Sequence, residues 1–344
     1  MNKALISGIT GQCGGFMAKY LLDKGYLVDG LNRRKSIDNL DNIKEIKDKI
    51  RLVEGDITDT SSIYALIEKE KYDVVFNLAA QSHVQTSFSQ PQTTFEINTL
   101  GVLNLLEAIR HKSKNTRLVQ LSTSEMFGST IPPQDEDTLF HPRSPYGVSK
   151  LASHYLIQNY HEAYGLKAAC AICFNFESKN RGKLFVTRKI TEWVKSYKKD
   201  PNILPLELGN LDAMRDWSYA GDIADGLYRI AYQDSFYNGS HGGYWRSYCL
   251  GSGKSYSIRQ FLSMVLTEAF VLDDVEDRFK FIGLGASEKV FDTKTDKYIV
   301  KINPQFFRAA EVNHLKCNPS KIKNELGWSP KYSLHDIIVE MLED

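Results

Sequence analysis

Short apolar runs and helically spaced segments alternate through the first 175 residues, and few folds accept that pattern. Apolar runs at 3–7, 26–31, 51–54, 74–78, 117–121 and 168–174 predict strands. Residues 15–24, 61–69, 99–110 and 145–164 predict helices, with Phe16, Leu21 and Leu22 on one face of the first. Strands joined through helices run parallel, and a parallel sheet is covered on both faces. The chain is therefore expected to be an α/β protein on a doubly wound, Rossmann-like parallel sheet. Past residue 175 the alternation gives way to polar loops, a helix near 186–198 and glycine-rich turns near 239–253. A smaller, mixed C-terminal substrate lobe is expected there. The division expected is 1–175 plus about 218–250 for the nucleotide-binding domain, and 176–217 plus about 251–344 for the lobe. Residues 222–232 and 248–250 are the stretches expected to return to the sheet.

Composition narrows the function classes. A net charge of +1 lacks the basic excess of a general nucleic-acid binder. No run approaches the ~18 apolar residues of a membrane span. The N-terminal apolar run stops at Gly8, too short for a signal peptide, so a cytoplasmic location is expected. The five cysteines do not read as a disulfide framework. Cys170 and Cys173 form a C-x-x-C inside an apolar run and are expected to be buried strand thiols; with no second such motif and no H-E-x-x-H, no metal site is expected. The lysine-rich stretch 43–50 reads as a solvated helix surface.

Gly8-Ile-Thr-Gly11-Gln-Cys-Gly14 sits between the first strand and the first helix. Glycines there let the backbone turn tightly against a pyrophosphate, and the helix N-terminus offers free amides. After the second strand comes Asn32-Arg33-Arg34. A carboxylate would suit a free ribose hydroxyl; two guanidinium groups suit the extra phosphate of NADP. Asp56 fits an acceptor for the adenine amino group, and residues 77–80 close the strand that reaches the ribose and nicotinamide side.

Tyr146 and Lys150 are four apart and share a helix face, where an ammonium is expected to lower the phenol's pKa. Tyr146 is then a candidate base for a hydroxyl whose carbon loses hydride. Thr123 and Glu125 follow the fifth strand, where the two-residue spacing points them to one side of extended chain. Glu125 adds an acid/base beside the hydride chemistry, which a plain dehydrogenase does not need. It is placed to remove a proton next to a new carbonyl and to protonate a departing hydroxyl.

These stretches, with AAQSHV at Ala79, STSEMFG at Ser122, PRSPYGVSK at Pro142, RG-x-x-FVTRKI at Arg181, LGNLDAMRDW at Leu208 and FFRAAEV at Phe306, resemble the GDP-mannose 4,6-dehydratase family of the extended short-chain dehydrogenase/reductases. The resemblance covers essentially the whole chain. It implies oxidation at carbon 4 of a GDP-sugar, proton removal at carbon 5, loss of water from carbon 6 and return of the hydride to carbon 6. It implies a tightly bound NADP, regenerated each turnover and held by Gly8, Thr10, Gly11, Gln12, Cys13, Gly14, Arg33, Arg34, Asp56, Ile57, Leu78, Ala79, Ala80, Ser82, Thr93, Tyr146, Lys150, Phe176 and Arg181. The substrate side comprises Ser82, His83, Thr123, Glu125, Asn175, Val186, Lys189, Arg215, Arg308 and Glu311, and a homo-oligomer, dimer or tetramer, is expected. The chain departs from the family where Cys13 replaces an aspartate, Phe176 a histidine, and Lys179-Asn180 a Pro-Arg pair; of that arginine-bearing loop only Arg181 carries over. GDP-mannose is the expected substrate, with a GDP-manno-heptose as the alternative for the same chemistry. A 4-epimerase has no use for Glu125, and a non-catalytic NADP-binding scaffold would not need to keep both Tyr146 and Lys150.

Overall fold

The computed structural model describes residues 1–34, 36, 39–233, 247–307 and 310–343. Seven parallel strands form the central sheet: β1 (Lys3–Ser7), β2 (Leu27–Asn32), β3 (Arg51–Glu54), β4 (Val74–Asn77), β5 (Arg117–Thr123), β6 (Ala168–Cys173) and, after three strands of the smaller lobe, β10 (Tyr248–Leu250). Their order is β10-β6-β5-β4-β1-β2-β3. Chain direction across the sheet reverses beside β1, where β4 and β2 flank it on opposite sides. The C-terminal strand ends part there, and that crevice is where ligands of such sheets collect.

Period-two burial explains the layers. Ala4 and Ile6 face one side with helices α1 (Gln12–Asp23) and α8 (Ala220–Ala231), packing on Met17, Leu21, Ile223 and Leu227. Leu5 faces the other side, with α2 (Thr60–Glu70), α5 (Gly101–Lys112) and α6 (Pro145–Tyr164). Two short helices, α3 (Val84–Ser89) and α4 (Pro91–Phe95), and a π-turn at Glu96–Leu100 lead into α5. Each fully buried Leu, Ile or Phe contributes about 1.5–3 kcal/mol through removal from water.

Four expected boundaries move. α1 begins at Gln12, three residues early, because extended Gly11 serves as its N-cap. α5 begins two residues late, the preceding residues being wound into the π-turn. β5 runs on to Thr123, and Glu125 lies on a 3₁₀ turn, Ser124–Met126, rather than on extended chain. The lysine-rich stretch is a 3₁₀ helix, Asp41–Lys49, with Ile43 and Ile46 buried and its lysines outward.

Among the described residues the smaller lobe holds two sheets. One joins β11 (Ser255–Ser257), β9 (Met214–Tyr219) and β7 (Asn175–Glu177); the other joins β12 (Phe279–Ile282), β13 (Lys289–Asp292), β14 (Lys297–Ile302) and β8 (Leu206–Leu208). Helices α7 (Val186–Lys199), α9 (Ile258–Ala269) and α12 (Leu334–Leu342) enclose its core, around Trp217, Phe261 and Ile338. The short helices α10 (Val275–Arg278) and α11 (Ser320–Leu326) complete the chain. Among the described residues no helix is long and apolar enough to cross a membrane.

Candidate active site

A cavity of about 890 Å³ opens along the C-terminal strand ends and continues into the smaller lobe. Its floor is the glycine turn. Gly8 has φ +68°, and a Cβ there would sit 2.8 Å from the Ala79 amide nitrogen. At Gly14 a Cβ would meet the Gly8 carbonyl at 2.4 Å. The turn, the β4 end and the helix start therefore close together only with glycine at both positions. α1 has no side-chain cap at its N-terminus, so its first amides face the cavity floor as anion donors.

A buried polar row not apparent in the sequence ties this floor to the catalytic side. The Ser7 hydroxyl donates to Asn77 Oδ1 and accepts from the Leu78 and Ala79 amides at 3.0 and 3.1 Å. Asn77 Nδ2 donates to Gln120 Oε1 at 2.5 Å, and Gln120 Nε2 donates to the Leu121 carbonyl at 2.9 Å. Lys150 Nζ donates to that same carbonyl at 2.7 Å.

α6 presents Tyr146 and Lys150 as the sequence requires. Ser144 caps it by accepting from the Gly147 amide at 3.0 Å, Pro145 occupies the first turn, and Gly165 ends it in the left-handed region. Both catalytic candidates are buried. Burial pulls the Lys150 ammonium down to about 8. Burial pushes the Tyr146 phenol up to about 12, against a Thr123 hydrogen bond and the charge of Arg181, with Glu125 adding to the rise. The Lys150 ammonium is directed at Leu121 O, and the groups that lower the phenol are Thr123 and Arg181. Thr123 Oγ1 accepts from the Glu125 amide at 3.2 Å and so sets the 3₁₀ turn that brings the carboxylate to the cavity. Gly147 backs that turn, where a Cβ would meet the Glu125 carbonyl at 2.9 Å.

The cavity brings together nearly all the expected residues. Arg34 and Thr93 lie outside its lining: both are exposed, Arg34 past the end of β2 and Thr93 on the outer side of α4. The inward neighbour Thr94 is buried instead and accepts from Gln81 Nε2 at 3.0 Å. Gln81 also accepts from the His83 amide at 2.7 Å, shaping the loop that carries Ser82 and His83. Arg308 falls outside the described residues. Arg33 lines the cavity 3.9 Å from Asp56, whose Oδ1 is engaged by Thr58. Cys170 and Cys173 are buried free thiols, and no metal-binding cluster occurs among the described residues.

In the smaller lobe, Arg215 pairs with Glu311 at 3.5 Å, and Lys189 donates to the Glu207 carbonyl at 2.7 Å with its ammonium 4.3 Å from the Phe306 ring. The start of α7 also opens on the cavity, uncapped by any side chain. Arg181 stacks on Phe185 at 3.7 Å, and Phe185 meets His83 edge to face at 5.7 Å. Phe185 and Phe306 lie in stretches that carry the resemblance but are not singled out there as site residues, and Glu207 is missed altogether, because loop aromatics and a strand carboxylate carry no signal of their own.

A model of the GDP-mannose 4,6 dehydratase family matches residues 5–341. The chain is 39% identical to the GDP-mannose 4,6-dehydratase of Vibrio cholerae serotype O1, over 99% of this chain and 93% of that one. Among solved structures it is similar to a dTDP-glucose 4,6-dehydratase from Bacillus anthracis in complex with NAD, with a TM-score of 0.77 and 21% identity over 99% and 96% of the two chains. It is also similar to RMD from Pseudomonas aeruginosa complexed with NADPH, with a TM-score of 0.75 and 20% identity over 99% and 98%. These structural likenesses concern the fold.

Proposed function

The chain belongs to the GDP-mannose 4,6-dehydratase family, and from that premise we propose that its cavity carries out 4,6-dehydration of GDP-mannose with Thr123, Glu125, Tyr146 and Lys150 as the catalytic set. The observation that carries the reading is the opening of Glu125 and Thr123 on the same cavity as Tyr146 and Lys150, above a glycine floor. Tyr146 takes the proton of the carbon 4 hydroxyl. When bound, the oxidised nicotinamide brings a positive charge to the cavity and takes up, then returns, one hydride. Glu125 removes the carbon 5 proton, acidified by the new carbonyl, and hands it to the carbon 6 hydroxyl, which leaves as water. The proton held by Tyr146 balances the one needed at carbon 5 once hydride reaches carbon 6. Thr123 holds the carbonyl oxygen, and Lys150 anchors the α6 face through Leu121 O.

The glycine floor and uncapped α1 fit a nicotinamide dinucleotide. Arg33, exposed at the cavity edge, favours NADP as the form taken. The uncapped α7 start, Lys189 and Arg215 are suited to the substrate diphosphate, and Glu311 to ribose hydroxyls. Exposed Leu100, Val148 and Tyr155, on the π-turn and the α6 helix packed beside it, support a homo-oligomer built on that face. Incubation with GDP-mannose and mass spectrometry test the function: loss of one water with a 4-keto product is expected. An isomer of unchanged mass would instead support an epimerase.

A further inference from the structure

Of the three amides that follow Ser178 in the turn 178–181, two find acceptors within the turn. The Arg181 amide donates to the Ser178 carbonyl at 3.0 Å, and the Asn180 amide to the Ser178 hydroxyl at 3.2 Å. The second residue of such a turn points its amide outward, so the Lys179 amide needs an outside partner. That partner is Glu340 of α12, whose Oε2 accepts at 2.8 Å across 161 residues of sequence. α12 also receives Arg188 Nη1 at its Met341 carbonyl at 3.2 Å, so the C-terminal helix grips the chain before and after the cavity-facing stretch 180–187. From the opposite side, Gln12 Nε2 of the glycine turn donates to the Phe176 carbonyl at 2.9 Å and Gln12 Oε1 accepts from Ser178 Oγ at 3.1 Å. Between these clamps lies Arg181, 3.1 Å from buried Glu177 and stacked on Phe185. Glu177 is itself fixed by the Thr187 hydroxyl at 2.8 Å.

We propose that Glu340, on the C-terminal helix, is a positioning residue that fixes the turn 178–181 and through it the direction in which Arg181 faces the cavity. It touches no reacting atom. Its effect on cofactor binding rests on Arg181 being a cofactor contact, as read above. Gln12 belongs to the cavity lining, whereas Glu340 holds the turn from α12, outside that lining, so its loss reaches the cavity only through the turn and Arg181.

The test compares E340A, E340Q and R181A. Hydrogen exchange of the 178–182 amides reports the brace, and NADPH titration followed by nicotinamide fluorescence reports its consequence. E340A is expected to speed exchange in that stretch about tenfold and to weaken NADPH by about tenfold, the scale of one lost hydrogen bond to a charged group. E340Q keeps an oxygen acceptor and is expected to restore both. Should E340A fold poorly, E340D, which retracts the carboxylate by one methylene, is expected to shift both readouts in the same direction. Unchanged exchange in E340A, or equal effects of E340A and E340Q, overturns the brace. Faster exchange with unaltered NADPH binding overturns the link to Arg181. R181A binding NADPH as the unmodified chain does would instead count against Arg181 as a cofactor contact, and inactivity toward GDP-mannose would count against the proposed reaction; neither alters the exchange readout.

Discussion

Lys150 makes the fold weaker at neutral pH, and replacing it with methionine exposes by how much. Lys150 is 2% exposed, and burial lowers its ammonium from the ordinary 10.5 to about 8. At about 1.4 kcal/mol per unit, that shift is a penalty of about 3 kcal/mol on holding the charged form inside the fold. The hydrogen bond to Leu121 O returns about 1.5 kcal/mol of stability that the variant forgoes. Methionine has similar length and no charge, and its flexible thioether fills the same path. Lys150→Met is therefore expected to stabilise the protein by about 1–2 kcal/mol at pH 7 while abolishing turnover.

The pH dependence separates this account from simple repacking. Below about pH 8 both folded and unfolded Lys150 carry the proton, so the penalty is full and constant. Between about 8 and 10.5 the unfolded chain holds more protons than the folded one, and the stability of the unmodified protein rises with pH from this group. Above 10.5 the penalty is gone. Urea denaturation at pH 7 and across that window is the assay. The variant's advantage should shrink steadily as pH rises. A variant less stable at pH 7, or two stability curves that stay parallel through the window, would refute the reasoning.

Four other outcomes follow from particular contacts. Glu125→Gln is expected to bind substrate and cofactor yet eliminate water at least ~100-fold more slowly, seen by mass spectrometry as a lagging dehydrated product; unchanged turnover removes Glu125 from the mechanism. Gly8→Ala forces a Cβ to within 2.8 Å of the Ala79 nitrogen at φ +68°, and is expected to cost about 1–3 kcal/mol in denaturation and to weaken NADPH in fluorescence titration. Asp29 is buried and accepts from Arg51 and from Tyr72, the latter at 2.6 Å, so Asp29→Ala is expected to cost about 3 kcal/mol in urea unfolding without changing KM. The five cysteines are buried, burial pushing the Cys13 thiol up to about 12; native protein should resist a thiol reagent that labels all five after unfolding.

What could be read in the sequence was what the local chain enforces. α6 appears at the expected residues because its proline lies in its first turn and its cap and terminal glycine adjoin its two ends. The glycine turn is legible because Gly11 and Gly14 answer steric demands within the turn and Gly8 takes a positive φ there, although the atoms a Gly8 Cβ would meet belong to distant Leu78 and Ala79. Glu125 was assigned to the right cavity for an incomplete reason: its direction comes from a 3₁₀ turn set by Thr123 Oγ1, not from strand periodicity. Thr93 lies outside the cavity lining because resemblance fixes which residues sit on α4 but not which side faces inward, and Thr94 holds the buried position. The sheet β12-β13-β14-β8 left no usable signal: β12, β13 and β14 follow one another in short strands of four to six residues, and three-residue β8 joins them from far earlier in the chain. The features that aim side chains into the cavity are less legible still. Ser7–Asn77–Gln120 spans three strands, and Glu340 meets Lys179 across 161 residues of sequence. Such contacts consist of one acceptor meeting one donor far away in sequence, so no window of residues contains both. Chemical identity thus comes from local motifs, while the Lys150 ammonium is aimed by a non-local hydrogen bond to Leu121 O and the turn beside Arg181 is tied by Glu340. Substitutions at those distant partners should change KM and pH behaviour while leaving every recognisable motif intact.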